Sequence, residues 1–135
     1  MSRTIEQQRA AFALGFVKDY EGEKATKGTL AKHIQKTPIR ILQNGFGQAL
    51  AFLLSDNAGK KGEKREPSGK IYDCLEKWLC ADGQPCRVYT ANPADLMKNL
   101  VDGSRGNYLR AQAEALALFI WLKKFSDAYL DKEDA

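Results

Sequence analysis

The sequence predicts an all-α protein: a single compact bundle of five to six helices that ends in a long, buried C-terminal helix. Apolar residues recur at steps of three and four over most of the 135 residues, which is the spacing of one helix face. Only CRVYT, residues 86–90, has the composition of a strand, and one short strand has nothing to pair with. The length of the chain and the lack of a visible repeat favour one domain, residues 1–135.

The first two predicted helices precede the first proline of the chain. A capping box formed by Thr4 and Gln7 begins the first helix, which is expected to continue to about Tyr20. The loop EGEKATKG follows, and then a short second helix that ends near Lys36.

The third predicted helix spans residues 38–55 without a break. Thr37 is a good N-cap, and Pro38 suits the first helical position, where no backbone N–H is needed. At about 100° per residue, the apolar side chains of this segment fill one half of a helical wheel. A break in the turn-like centre, NGFG, would disturb that phase. A continuous helix is therefore expected, with Gly45 facing inward and Gly47 facing outward.

Gly47 and Ala51 are expected to form a flat strip on the outer side of this helix, bordered by amide and guanidinium groups. Such a strip suits a docking partner or a sugar-phosphate backbone. The alternative is a plain solvent-exposed face with an incidental glycine. The residues predicted to dock a partner are Gln43, Asn44, Gly47 and Gln48.

A loop and three more helices are predicted in the rest of the chain. Residues 56–69 are rich in Gly, Lys and Glu, which predicts a flexible loop. The fourth helix has an apolar face formed by Ile71, Cys74, Leu75, Trp78 and Leu79. The fifth helix starts around residues 92–95 and has three apolar residues, Leu96, Leu100 and Val101. The sixth runs from about Asn107 to Leu130, and its wide apolar arc predicts a place in the middle of the bundle, with Phe119 or Trp121 inside.

The positive charge of the chain is unevenly distributed. Net charge is +4 and the sequence pI is about 9.0. Residues 1–70 hold 13 Lys and Arg against 7 Asp and Glu, a net +6, whereas residues 71–135 hold 8 against 10, a net −2. Such asymmetry suits a protein with one anionic partner, and nucleic acid is the commonest partner of this kind. The alternative is a basic surface that is merely solvated.

The reactive side chains favour a protein that is not an enzyme. Cys74, Cys80 and Cys86 lack C-x-x-C spacing, so reduced thiols are expected, with a Cys80–Cys86 pair as the alternative. His33 is the only histidine, and a ribonuclease built on it would need a second acid–base group, which the sequence does not nominate. No catalytic residue, metal or cofactor is therefore expected.

The sequence also predicts a cytoplasmic location. No apolar run approaches the roughly 18 residues that cross a membrane. The N-terminus, MSRTIEQQRA, is polar and lacks the apolar region of a signal peptide.

Two long stretches resemble a known family. TPIRILQNGFGQALAFLLSD, residues 37–56, resembles the Pro-…-Ile-…-Asn-Gly-Leu-Gly-Gln-…-Ala-Phe-Leu core of the small helical subunit of the type III-B CRISPR effector, the Cmr RNP complex. YLRAQAEALALFIWLKKFSDAYL, residues 108–130, resembles the C-terminal helix of that family, and IYDCLEKWL fits its middle helix. Phe46, where leucine is usual, and Ser126, where alanine is usual, are mild departures.

The resemblance implies a non-catalytic subunit. Several copies stack into a short filament beside backbone subunits that carry the guide RNA, and they help hold the target RNA that the backbone subunits cleave. The implied partners are those subunits, further copies of the chain, guide RNA and target RNA, with no membrane and no small-molecule substrate. Together with the charge asymmetry, the resemblance predicts RNA contacts by Lys27, Lys32, Lys36, Arg40, Lys60, Lys61, Lys123 and Lys124.

A stand-alone helical protein that binds nucleic acid or regulates another protein is the alternative function. A helix-turn-helix reader of DNA needs a polar recognition helix. The predicted helix at 38–55 is half apolar, which argues against that form of the alternative.

Overall fold

The computed structural model describes residues 3–23, 26–56 and 66–130 of the chain. These residues form six helices and no strand, so the predicted all-α bundle is confirmed. The helices are α1 (Ile5–Lys18), α2 (Lys27–Asn44), α3 (Phe46–Asp56), α4 (Pro67–Cys80), α5 (Leu96–Asp102) and α6 (Arg105–Tyr129). None of these six helices combines the length and the apolar character that a membrane-spanning helix needs.

The start of α1 is the predicted capping box. Thr4 Oγ1 accepts a hydrogen bond from the backbone N–H of Gln7 at 3.0 Å, and Gln7 Oε1 accepts one from the backbone N–H of Thr4 at 2.8 Å. Each bond satisfies a backbone donor that has no partner within the helix. α1 then buries Ala13 and Val17 and packs against α6.

α2 is one helix where the sequence predicted the end of one helix and the start of another. Thr37 is not an N-cap: it is buried, and its Oγ1 donates to the backbone oxygen of His33 at 2.6 Å. Pro38 lies inside the helix, where it removes one backbone donor. The helix continues because its buried residues share one face across the proline. They include Leu30, Ile34, Thr37 and Ile41.

The prediction of one helix over residues 38–55 is wrong, because the chain breaks at Gly45. α2 ends at Asn44, Gly45 has φ 90° and ψ 160°, and α3 begins at Phe46. This backbone conformation is open to glycine and strained for other residues. Both parts of the segment are apolar on one side, so periodicity alone could not distinguish one helix from two that bury similar residues.

The predicted loop at 56–69 lies partly outside the described residues, which omit 57–65. At its edges the chain is helical: Asp56 ends α3, and Pro67 begins α4. Pro67, Ser68 and Gly69 are also buried. The described edges of the predicted loop are therefore helical, and residues 67–69 are buried in the bundle. The loop itself stays a prediction.

The core lies where α6 packs against α1, α2 and α4. Its fully buried side chains include Trp78, Phe46 and Phe119, so the placement of Phe119 inside the bundle is confirmed. Trp121 is half-buried, and its Nε1 donates to Glu6 Oε1 at 2.8 Å.

The segment between α4 and α6 departs from the sequence prediction at one apolar position. The backbone N–H groups of Val88 and Tyr89 both donate to the backbone oxygen of Leu79, which folds this segment back on the end of α4. α5 then begins at the N-cap Asp95 and has only seven residues. Val101 is 71 % exposed, because so short a helix turns just one side to the bundle. The buried residues of α5 are Leu96, Asn99 and Leu100.

Candidate nucleic-acid and subunit interface

The start of α3 is held by α6, and this contact positions the predicted docking residues. The backbone N–H of Phe46 donates to Gln112 Oε1 at 3.1 Å, and that of Gly47 donates to Tyr108 Oη at 2.8 Å. The first amides of a helix have no partner within the helix. Two side chains of α6 therefore take the role that an N-cap residue has at other helices.

Gly47 does not face outward, as the helical wheel indicated. It is half-buried, and a Cβ at this position would lie 3.3 Å from Tyr108 Oη. The other predicted docking residues are exposed around the turn between α2 and α3: Gln43, Asn44 and Gln48. A docking role for these residues stays a prediction, and the structure adds that Gly47 contacts α6 of its own chain.

The predicted RNA-binding residues of α2 differ in exposure. Lys32 and Lys36 are exposed, and Lys27 is half-buried at the start of the helix. Arg40, predicted to belong to the same basic set, is half-buried because its guanidinium lies over the ring of Phe52, 3.9 Å from the centroid. Stacking of this kind holds Arg40 against α3. RNA contact by these residues stays a prediction.

The predicted lysines of α6 are both exposed and lie on either side of Asp127. Gln35 Nε2 of α2 donates to Asp127 Oδ1 at 3.1 Å, which marks the side of α6 that adjoins α2. Lys123 precedes Asp127 by four residues and Lys124 precedes it by three, so the two lysines lie about 100° apart, on either side of Asp127. Helix geometry therefore places both near the side of α6 that adjoins α2. Two further predicted RNA-binding residues, Lys60 and Lys61, lie outside the described residues.

The only histidine has a carboxylate neighbour that the sequence did not nominate. His33 Nε2 lies 3.4 Å from Asp56 Oδ2, at the end of α3. Burial lowers the pKa of His33, and the charge of Asp56 offsets this effect only in part. The imidazole is therefore neutral at pH 7. A neutral, half-buried ring contributes no charge toward a phosphate, and its contact with Asp56 is too long for a strong hydrogen bond.

The described residues contain no group of three or more His, Cys, Asp or Glu side chains that could hold a metal ion. The three cysteines are unpaired, with Cys74 and Cys80 buried and Cys86 half-buried. Burial raises the pKa of each thiol above its ordinary value, so all three are protonated at neutral pH. A protonated thiol is a poor nucleophile and a poor metal ligand.

A partly buried charged cluster that the sequence did not predict joins α1, α4 and α6. Arg9 Nε and Nη2 donate to the two carboxylate oxygens of Glu114 at 2.7 and 2.8 Å, and Trp78 Nε1 donates to Glu114 Oε2 at 2.9 Å. Burial opposes ionisation of Glu114, but the hydrogen bonds from Arg9 and Trp78 hold the pKa of this carboxyl below its ordinary value. The sequence offered one indication of this cluster: Glu114 is an acidic residue among the alanines and leucines of α6.

An open cavity of about 360 Å³ beside this cluster is lined by three arginines, Arg9, Arg87 and Arg110. Most of their charge is neutralised within the chain. Arg9 pairs with Glu6 as well as Glu114, and Arg87 pairs with Asp82 at 2.9 Å. The cavity therefore offers a phosphate little unpaired positive charge, and the arginines mainly tie helices and loops together.

The described helices begin at residue 5 and end at residue 129, and a family model described as CRISPR-associated protein (Cas_Cmr5) matches residues 5–129. The chain belongs to the Cmr5 family. This family is the small subunit of the type III-B Cmr effector complex, so the family resemblance noted in the sequence is confirmed. Membership of the Cmr5 family implies that other subunits of the complex are partners.

The Cmr5 fold is also found by structural comparison. An X-ray crystal structure of a CRISPR-associated Cmr5 family protein from Thermus thermophilus matches the chain with a TM-score of 0.73 and 25 % sequence identity. The match covers 96 % of this chain and 100 % of that chain. The similarity therefore extends over the whole Cmr5 bundle.

Proposed function

We propose that this Cmr5 family member is a non-catalytic subunit that stacks with further copies of itself beside the backbone subunits and helps them hold guide and target RNA. It serves antiviral defence in the cytoplasm. Family membership over residues 5–129 supports the assembly role. Because guide–target pairing supplies sequence specificity, the subunit is expected to contact phosphates and not bases.

The position of the exposed lysines is the observation that carries the RNA-holding role. Lys32 and Lys36 follow one another by one turn on the solvent side of α2, and Lys123 lies on the flank of α6 that adjoins α2. A small protein makes only a few phosphate contacts, so an isolated copy should bind single-stranded RNA weakly. In a stack, the contacts of successive copies add along one RNA.

Replacement of Lys32, Lys36 and Arg40 by alanine, alanine and glutamine is expected to weaken binding of target RNA by the assembled complex. Glutamine at position 40 removes the guanidinium that lies over Phe52 and leaves a shorter, neutral amide. On a single strand, each lost phosphate contact reduces the slope of log K against log salt by about 0.7, so the slope should fall by up to about 2 for each copy in the stack. Fluorescence anisotropy over a series of KCl concentrations measures this slope.

The matched control for this variant removes three cations elsewhere on the bundle, as Lys77→Ala, Lys98→Ala and Arg105→Ala, all at exposed positions. The control should keep the salt slope of the wild-type complex, and circular dichroism should show both variants folded. An unchanged slope in the first variant would show that these three cations do not contact RNA, and RNA contact would then have to be sought at other residues.

The purified subunit is expected not to cleave RNA in the presence of Mg²⁺, Mn²⁺ or Zn²⁺. General acid–base cleavage needs two positioned proton-transfer groups, and the neutral His33 has only the distant contact with Asp56. Incubation of end-labelled RNA with wild-type protein and with His33→Ala, followed by gel analysis, measures cleavage. Activity that is present in the wild type and lost in a folded His33→Ala variant would overturn the non-catalytic role.

A further inference from the structure

The helical hairpin formed by α2, the turn at Gly45 and α3 concentrates the positive charge of the chain. Residues 27–56, which we name the α2–α3 hairpin, have a net charge of +3, and the whole chain has +4. The hairpin contains four cations and one acidic residue: Lys27, Lys32, Lys36, Arg40 and Asp56. An anion that approaches this part of the surface therefore meets a positive potential.

Two side-chain contacts show how α3 folds back along α2. The guanidinium of Arg40 lies over the ring of Phe52, 3.9 Å from the centroid, and His33 Nε2 lies 3.4 Å from Asp56 Oδ2. The later residue of α3 thus contacts the earlier residue of α2, so the two helices are antiparallel. The ring of Phe52 is 37 % exposed, which places its contact with Arg40 at the surface of the hairpin.

The structure holds the guanidinium of Arg40 in place but gives it no anionic partner. Its position over Phe52 fixes the plane of the group. In the part of the chain that the structure describes, Arg40 Nη1 is buried without a hydrogen-bond acceptor, and no carboxylate pairs with the guanidinium. Arg9 and Arg87, by contrast, each pair with a carboxylate. A charged donor that lacks a partner gains most from an anion that brings acceptor oxygens.

Two carboxylates that contact α2 lie away from Arg40. Asp56 faces His33, which is seven residues, or about 10 Å, before Arg40 along the helix. At physiological ionic strength, surface charges are largely screened over such a distance. Asp127 of α6 accepts a hydrogen bond from Gln35, which is rotated by about 140° from Arg40 around α2. The surroundings of Arg40 therefore leave its positive charge available to an anion.

We propose that Arg40 binds a phosphate of RNA and that Phe52 is the residue that positions it for this contact. The ring keeps the planar guanidinium in one orientation, so less conformational freedom is lost when a phosphate binds. Lys36, which is exposed one turn before Arg40, adds a second charge on the same side of α2. This inference rests on the proposed function, because it assigns a place and a supporting residue to one of the phosphate contacts proposed there.

Two substitutions remove the contact between cation and ring but keep the charge. Phe52→Leu removes the ring and leaves every cation in place, whereas Arg40→Lys leaves the ring in place and removes the planar group. Each is expected to weaken binding of target RNA by the assembled complex about two- to fivefold for each copy, as for the loss of a cation–π contact at an exposed site. The slope of log K against log salt should stay unchanged, because the number of cations is the same. Fluorescence anisotropy at several KCl concentrations measures both quantities.

The matched control variants are Phe16→Leu and Arg105→Lys. Phe16 is a half-buried ring on α1 that contacts the ring of Tyr20, and Arg105 is exposed at the start of α6. Complexes with either control should bind target RNA like the wild-type complex. Circular dichroism and melting temperatures show whether each variant chain is folded.

A double-mutant cycle shows whether Phe52 acts through Arg40. Arg40→Gln alone should weaken binding and reduce the salt slope by up to about 0.7 for each copy. Phe52→Leu should then cause no further loss of RNA affinity in an Arg40→Gln chain, because a positioning residue acts through the group that it positions. A role of Phe52 in the fold alone, or a contact between its ring and an RNA base, would instead give losses that add.

Wild-type RNA affinity of a complex with folded Phe52→Leu or Arg40→Lys would overturn the inference, and so would additive losses in the cycle. Should Phe52→Leu fail to fold, Arg40→Lys decides the question, since it leaves the ring in place. If the triple replacement of Lys32, Lys36 and Arg40 reduces the salt slope while these two variants have no effect, the proposed function stands and only this inference falls. Equal RNA binding by the complex with and without the subunit would overturn both.

Discussion

Replacement of Glu114 by alanine is expected to lower the free energy of unfolding by about 3 kcal/mol. The change leaves the guanidinium of Arg9, which is 18 % exposed, without its bidentate partner, and it leaves the indole N–H of Trp78 without an acceptor. Glu6 remains near Arg9, so the cost stays at the lower end of the range for a broken buried pair. Chemical denaturation with urea measures the change.

Glu6→Ala is the matched control, because Glu6 is a second carboxylate partner of Arg9 but is 62 % exposed. Its cost is expected to stay below about 1 kcal/mol. Glu114→Gln, which keeps an acceptor for Trp78 and removes the charge, should lie between the two alanine variants. Equal small losses for Glu114→Ala and Glu6→Ala would show that the buried cluster contributes no more than a surface pair.

The contribution of Glu114 is also expected to depend on pH in one direction. Because its pKa in the folded state lies below the ordinary value of 4.5, the unfolded chain binds this proton more readily. The stabilisation is therefore present above about pH 4.5 and is lost as the pH falls through the lower folded pKa. The difference in stability between wild type and Glu114→Ala should accordingly shrink in acid.

Replacement of Gly45 by alanine is expected to lower the free energy of unfolding by about 2 kcal/mol. Gly45 has φ 90° and ψ 160°, a conformation that a Cβ makes unfavourable. The strained turn would also disturb the contacts that hold the start of α3, from Phe46 to Gln112 and from Gly47 to Tyr108. Thermal and urea unfolding of the variant measure the loss.

Gly15→Ala is the control for Gly45→Ala, since Gly15 lies inside α1 and a Cβ there meets no atom within 4 Å. Alanine at position 15 should raise stability by up to about 1 kcal/mol, because it favours the helix. A continuous helix over residues 38–55 would make Gly45→Ala stabilising as well. Opposite signs for the two substitutions thus support the chain break, and stabilisation by both would contradict it.

Part of the candidate interface follows from the sequence, and part does not. Lys32 and Lys36 could be nominated because a spacing of four residues on a helix with an apolar opposite face predicts two exposed neighbours. The pairing of Arg9 with Glu114 could not be predicted, because 105 residues separate them and both have the sequence context of ordinary surface charges. The contact of Arg40 with Phe52 could not be predicted either, since it depends on how α3 turns back against α2.

The sequence by itself determined the helical class, the capping box at Thr4, the buried positions Trp78 and Phe119, and the family. These properties depend on local hydrogen bonding and on the spacing of apolar residues along one helix. Only the tertiary structure decided that the chain breaks at Gly45 and that Ile39 and Leu42 lie outside the core. Periodicity shows which residues share a face. It does not show which neighbouring helix, if any, covers that face, and that depends on contacts between residues far apart in the chain.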